Sequence, residues 1–120
     1  MRYVTIRNVS QGTVVATQAE VADNFLRRGV GLLGRAGLPE GGGLVITPCS
    51  NIHMLGMRFA LDVVFLDKAG RVVKVYADLR PWRPYAGARG AHTTLELPVG
   101  AIAQAQVAVG DQLELAPLQG

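Results

Sequence analysis

The chain has 120 residues, 49% of them apolar, which is enough for one core and too little for two, so a single domain over residues 1–120 is expected. Only 18% of the residues are charged, with a net charge of +3. This excludes a disordered chain and argues against nucleic acid as a partner, since a dedicated binder concentrates far more Lys and Arg on one face.

The N-terminus, Met1-Arg2-Tyr3-Val4, enters a strand-like pattern at once, with no apolar leader. Tyr3–Arg7 and Thr13–Ala16 are β-branched runs separated by Asn8–Gly12, which reads as an opening hairpin. Thr17-Gln18-Ala19-Glu20 then fits a capping box, and Val21, Ala22, Phe25 and Leu26 recur at helical spacing. Arg27 and Arg28 suit a last turn and Gly29 a stop, so a helix of about three turns is expected near the N-terminus. Val30–Arg35 reads as an irregular helical turn. Gly37–Gly43 reads as a loop, and Leu44–Thr47 as a short buried strand ended by Pro48.

Arg58–Leu66 and Arg71–Leu79 form the strongest strand pair, joined by a turn at Asp67-Lys68-Ala69-Gly70. Val73, Val75, Ala77 and Leu79 are expected on one face, with Lys74, Tyr76 and Asp78 on the other, and this hairpin is expected at the centre of the sheet. Arg80–His92 is a long loop. Thr94–Leu97 alternates as a strand, Ile102–Val109 suits a short helical segment or an irregular strand, and Gln112–Leu115 is a last strand. The pattern predicts a mainly-β fold: a jelly-roll-like β-sandwich or partly open barrel with one α-helix near the N-terminus. Cys49 is the single cysteine, so no intrachain disulfide forms, and a reducing, cytoplasmic setting is the simplest one. No apolar run reaches the roughly 18 residues of a membrane span.

An ordered set of segments carries a family resemblance. They are Arg28-Gly29-Val30-Gly31-Leu32-Leu33-Gly34-Arg35, then Gly43-Leu44-Val45 leading to Pro48, then Ile52 through Asp67. The tail adds Leu95-Glu96-Leu97-Pro98-Val99-Gly100 and Gly110-Asp111-Gln112-Leu113-Glu114-Leu115. Together, over roughly Ala16 to Leu115, the chain resembles the bacterial and archaeal family called domain of unknown function 192. The resemblance implies a compact β-sandwich of jelly-roll type and no agreed activity.

Three constellations carry candidate chemistry. In Pro48–Met57, the thiol of Cys49, the imidazole of His53 and the thioethers of Met54 and Met57 lie close in sequence, a soft donor set that selects Cu(I), and zinc or iron is the other option. In one straight strand Cys49, His53 and Met57 share a face, but four strand residues span about 13 Å, while metal bonds are about 2.0–2.4 Å. The segment must bend, with Gly56 the natural place, or His92 must join. Read structurally, Cys49 and the methionines are core hydrophobes. Cys49 with His53 also suggests a nucleophile and base, though no oxyanion hole or orienting third group accompanies them.

Asp62 lies within the apolar run Phe59–Leu66, where a carboxylate needs amide donors or a cation such as Arg35 or Arg58. Read functionally, it is a ligand-binding or acid/base group. The third feature is the loop Leu79–His92, whose Arg80, Arg83 and Arg89 accompany Trp82 and Tyr85, with no acid between Asp78 and Glu96. Arginines with aromatics clamp anions or stack on planar groups, and the plain alternative is a loop pinned by its aromatics.

The leading functional reading is a small binding module for an anionic or polar small-molecule ligand. Its site is built from the His53–Met57 bend, Asp62, and Arg80, Trp82, Arg83, Tyr85 and Arg89. One rival is a copper or zinc protein, or metal-dependent enzyme, using Cys49, His53, Met57 and His92. Another is a protein-interaction domain, which requires an exposed Trp82. The sequence identifies no cofactor and leaves catalysis and oligomeric state open.

Overall fold

A polar turn between two β-branched runs folds back on itself as expected. In the computed structural model, which describes residues 2–22 and 35–118, strands β1 (Arg2–Asn8) and β2 (Thr13–Ala22) pair antiparallel. The expected N-terminal helix is corrected at its start, because Thr17–Ala22 are the second half of β2. Strand β1 takes one edge of this stretch, through Val4↔Ala19 and Tyr3↔Glu20. Strand β3 (Leu44–Ile46) takes the other in parallel, through Glu20↔Leu44 and Val21↔Val45. Pairing on both edges satisfies the backbone groups that a capping box would serve only in part. The Thr17 hydroxyl instead donates to the Gly41 carbonyl at 3.3 Å, and the Glu20 carboxylate receives Arg35 at 3.1 Å. The rest of the expected helix and residues 30–34 of the expected turn lie outside the described residues.

Among the described residues the single helix is α1 (Ala101–Gln104), near the C-terminal end of the chain. Strands β5 (Leu61–Leu66), β6 (Val72–Leu79), β8 (Thr93–Leu97) and β9 (Leu113–Pro117) complete a seven-stranded sheet of order β6-β5-β8-β3-β2-β1-β9. The β5–β6 hairpin therefore sits at an edge and not at the centre. The second edge of β5 is taken by β8. Strand β6 carries register shifts and a left-handed Asp78 (φ 54), irregularities that discourage further pairing. The same shifts split the expected face, so that Val75 and Val73 pack against different clusters.

The sheet curls until its two edge strands meet at one end. There Arg71 bridges Gln112, the Val72 amide donates to the Asp111 carbonyl at 2.9 Å, and the Leu113 amide donates to Gly70 at 2.9 Å. The result is a half-barrel. One face of the sheet packs Ile6, Val64, Leu66, Leu95 and Leu97 against α1 and Val107. The other packs Leu44, Ile46, Leu61, Val63 and Phe65 under Met54, Met57 and Ala86. Strand β5 is covered on both faces, which is why LDVVFL reads as a nearly continuous apolar run. Among the described residues no helix is long and apolar enough to cross a membrane.

Candidate functional site: an aromatic and basic ribbon

The two segments that stand out in the sequence, 48–57 and 80–92, are joined backbone to backbone. Strand β4 (Asn51–Ile52) pairs antiparallel with β7 (Ala86–Gly87) as a separate two-stranded ribbon. Towards one end the Ala88 amide donates to Ser50 at 3.1 Å and the Cys49 amide to His92 at 2.8 Å. Towards the other, the Met54 amide donates to the Arg83 carbonyl and the Trp82 amide to the Met54 carbonyl, both at 2.7 Å. Gly56, at φ 81, supplies the bend and turns Met57 back so that its amide meets the Met54 carbonyl at 3.2 Å.

The ribbon has an inner and an outer side. Met54 and Met57 are buried inside, in contact with the sheet, so Met57 supports the ribbon from within. Outside stand His53, Leu55, Arg83, Trp82 at 65% exposure and Tyr85 at 61%. Trp82 takes a left-handed backbone conformation, φ 69, which residues other than Gly, Asn and Asp rarely adopt. The Met54 bonds to its own amide and to the carbonyl of Arg83 hold it there.

Tyr76 of β6 ties the ribbon to the sheet. Its hydroxyl donates to the Gly87 carbonyl at 2.7 Å, and its ring stands edge-on to Phe65. Lys74 Nζ and the Arg83 guanidinium lie 5.2 Å and 6.0 Å from the centre of that ring, within cation–π range. Arg80 pairs with Asp78 at 3.2 Å. Among the described residues Lys74, Arg83 and the exposed Arg89 have no carboxylate partner.

The other sequence candidates divide. The Cys49 thiol, half-buried, donates to the Asn51 carbonyl at 3.2 Å. His53 accepts the Leu55 amide on Nδ1 at 3.2 Å, so in the neutral ring Nε2 carries the proton. His92 is half-buried, and its carbonyl receives Cys49 N and Thr47 Oγ1. Among the described residues no three His, Cys, Asp or Glu side chains gather into a metal-binding group.

Asp62 lies on the far face of the sheet, away from the ribbon. Its carboxylate is 2% exposed and accepts three backbone amides: Asp78 at 2.9 Å, Gly100 at 3.1 Å and Ile102 at 3.0 Å. It fastens the start of α1 and the left-handed residue of β6 with one side chain. Neither Arg35 nor Arg58 is its partner, because Arg35 is drawn to Glu20.

Two further carboxyls, to which the sequence assigns no chemical role, are buried. Glu96 of β8 is 7% exposed, flanked by Leu44 and Val63 on neighbouring strands. Burial pushes its carboxyl up to about 7, and among the described residues it has no hydrogen-bond or ionic partner. The alternation of Thr94–Leu97 places Glu96 on a polar face and carries no sign that this face is covered. Asp111 accepts Asn8 Nδ2 and the Ala108 amide, both at 3.0 Å, and these bonds hold its carboxyl below the usual carboxylate range.

The architecture defines the class: a small, mainly-β half-barrel carrying an outward-facing ribbon. The family described as DUF192, uncharacterized ACR, matches residues 6–115, and the chain belongs to it. It is 37% identical over 112 residues to a UPF0127 protein of Pyrococcus furiosus, covering 89% of this chain and 94% of that one. A UPF0127 protein of Pyrococcus abyssi is 36% identical over 114 residues, covering 91% and 95%. Among solved structures, a protein of unknown function from Novosphingobium aromaticivorans superposes with a TM-score of 0.80 over 93% of this chain and 83% of that one. At 24% identity that likeness concerns the fold.

Proposed function

We propose that the chain is a binding module whose ligand seats on the outer side of the ribbon. Arg83, with Arg80 and Arg89 nearby in sequence, meets an anionic group. Trp82 and Tyr85 meet an apolar one, and His53 offers its Nε2 proton at the same end. Asp62, tied off on the opposite face, takes no part.

The observation that carries this reading is Trp82. A left-handed conformation costs a non-glycine residue about 1–2 kcal/mol. Here the cost falls on a large aromatic that stays 65% exposed, so packing of its own ring does not offset it. The hydrogen bonds to Met54 offset it, and they leave the ring outward where a ligand can meet it. Strain of this kind gathers at binding sites because the surrounding hydrogen bonds can enforce it. Cys49 stays a free thiol in this reading, which suits a reducing, cytoplasmic setting.

Trp82 is the single tryptophan, so its emission reports one place. Titration with pyrophosphate, citrate and short acidic peptides should give a saturable change in that emission for at least one of them. Arg83→Ala should weaken that binding while leaving Trp82 exposed. If none of these probes alters the emission, and Trp82→Ala changes no thermal shift seen with them, the reading fails.

A further inference from the structure

Resting on the ribbon as a binding surface, we infer that its partner is an acidic, apolar-spaced segment of another protein, with carboxylates against Arg83 and Lys74 and apolar side chains on Trp82 and Leu55.

Charge complementarity comes first. Lys74 and Arg83 come from different elements, yet both converge on the ring of Tyr76, at 5.2 Å and 6.0 Å. The ring contact satisfies each cation only in part, and among the described residues no carboxylate neutralises either. Carboxylates of an incoming segment would supply the missing charge-assisted hydrogen bonds.

The apolar part is equally specific. The Trp82 amide binds the carbonyl of Met54, the residue just before Leu55, so two exposed large apolar residues meet at one place on the backbone. Tyr85 adds a third further along the ribbon. Trp, Tyr and Arg are the residue types that dominate hot spots between proteins. These side chains stand outward from a two-stranded ribbon, which suits an extended segment lying across them.

A nucleic-acid strand fits less well. A polyphosphate needs cations strung along a track, whereas these converge on one ring.

The test is fluorescence titration of the intact chain with three probes. One is a pool of short synthetic peptides rich in Asp, Glu, Phe and Leu. The second is the same pool with Asn and Gln in place of the acids, and the third is oligothymidylate. The acidic pool should shift Trp82 emission to the blue, and binding should weaken with added salt. The amide pool should bind at least about tenfold more weakly, and Lys74→Ala with Arg83→Ala should cost at least about tenfold. Both side chains lie on the surface, and far-UV circular dichroism of the double variant checks that it folds. If oligothymidylate binds as tightly as the acidic pool or more tightly, the partner class is wrong while the ribbon remains a binding surface. If no probe moves Trp82, the partner and the ribbon reading fall together.

Discussion

Replacing Glu96 by Gln should remove a pH dependence of stability that burial imposes on β8. The native carboxyl titrates at about 7, against an ordinary 4.5. Between these values the folded chain holds a proton that the unfolded chain has released, so stability falls as pH rises. Below about 4.5 both states are protonated and nothing is lost. Each pH unit in the window removes about 1.4 kcal/mol, so about 3 kcal/mol is gone above pH 8. That is a large part of the stability of a domain this size. Glu96→Gln keeps the shape and carries no proton to lose. Urea unfolding at pH 5, 6, 7 and 8 reads the effect, followed by far-UV circular dichroism because Trp82 is exposed in both states. The variant should match the parent within about 1 kcal/mol at pH 5, and exceed it by about 2–3 kcal/mol at pH 8. The difference between the two proteins cancels every other titration. Parallel stability curves from pH 5 to 8 would refute the reasoning, by showing that the Glu96 carboxylate finds a partner or water when it ionises.

Other expectations follow from the same contacts. Asp62→Ala leaves three backbone amides without an acceptor, that of Ile102 buried and those of Asp78 and Gly100 part-buried, and should cost roughly 2–4 kcal/mol, read by urea unfolding. Asp111, whose carboxyl is held low, adds stability above about pH 4 that disappears as pH falls through its lowered value; Asp111→Asn should flatten the acid limb of a thermal-melt series. Trp82→Gly should leave stability within about 1 kcal/mol of the parent, since relief of the left-handed backbone offsets the glycine entropy, while abolishing the emission signal and ligand binding. Tyr76→Phe removes the hydroxyl bond to Gly87 and should cost about 1 kcal/mol, with faster amide exchange at Gly87 as the local readout.

Much of the fold is legible in the chain because its causes are local. The turn at Asp67–Gly70 has its glycine at φ 84, and the Asp67 carboxylate accepts the amides of Ala69 and Arg71. The runs 61–66, 72–79 and 93–97 are strands because β-branched and apolar residues crowd them. The family resemblance rests on ordered short segments, and these are what the family match spans.

What the chain does not announce is non-local. A capping box at Thr17–Glu20 is a local signal, and it is overridden by partners from Tyr3 and from Leu44, which no window around Thr17 contains. The β5–β6 hairpin looks central because it is the most apolar, yet the edge that β8 occupies is set by a strand some thirty residues on. At the candidate site, the sequence marks out the His53–Met57 bend and the arginine loop separately. Only the hydrogen bonds that join the two segments bring Trp82 to Leu55, and only the packing of the ribbon over Leu61, Val63 and Phe65 leaves Asp62, which alternates with them, on the opposite face. Glu96 is the sharpest case. Alternation determines that it points opposite to Leu95 and Leu97, but whether that direction meets water or apolar side chains depends on what packs over the sheet. By itself the sequence determined the strands, the turns and the residues able to carry chemistry, because propensity and alternation act over a few neighbours. The tertiary structure decided which of those residues meet, which are exposed and which carboxyl holds its proton, because pairing and burial join segments far apart in the chain.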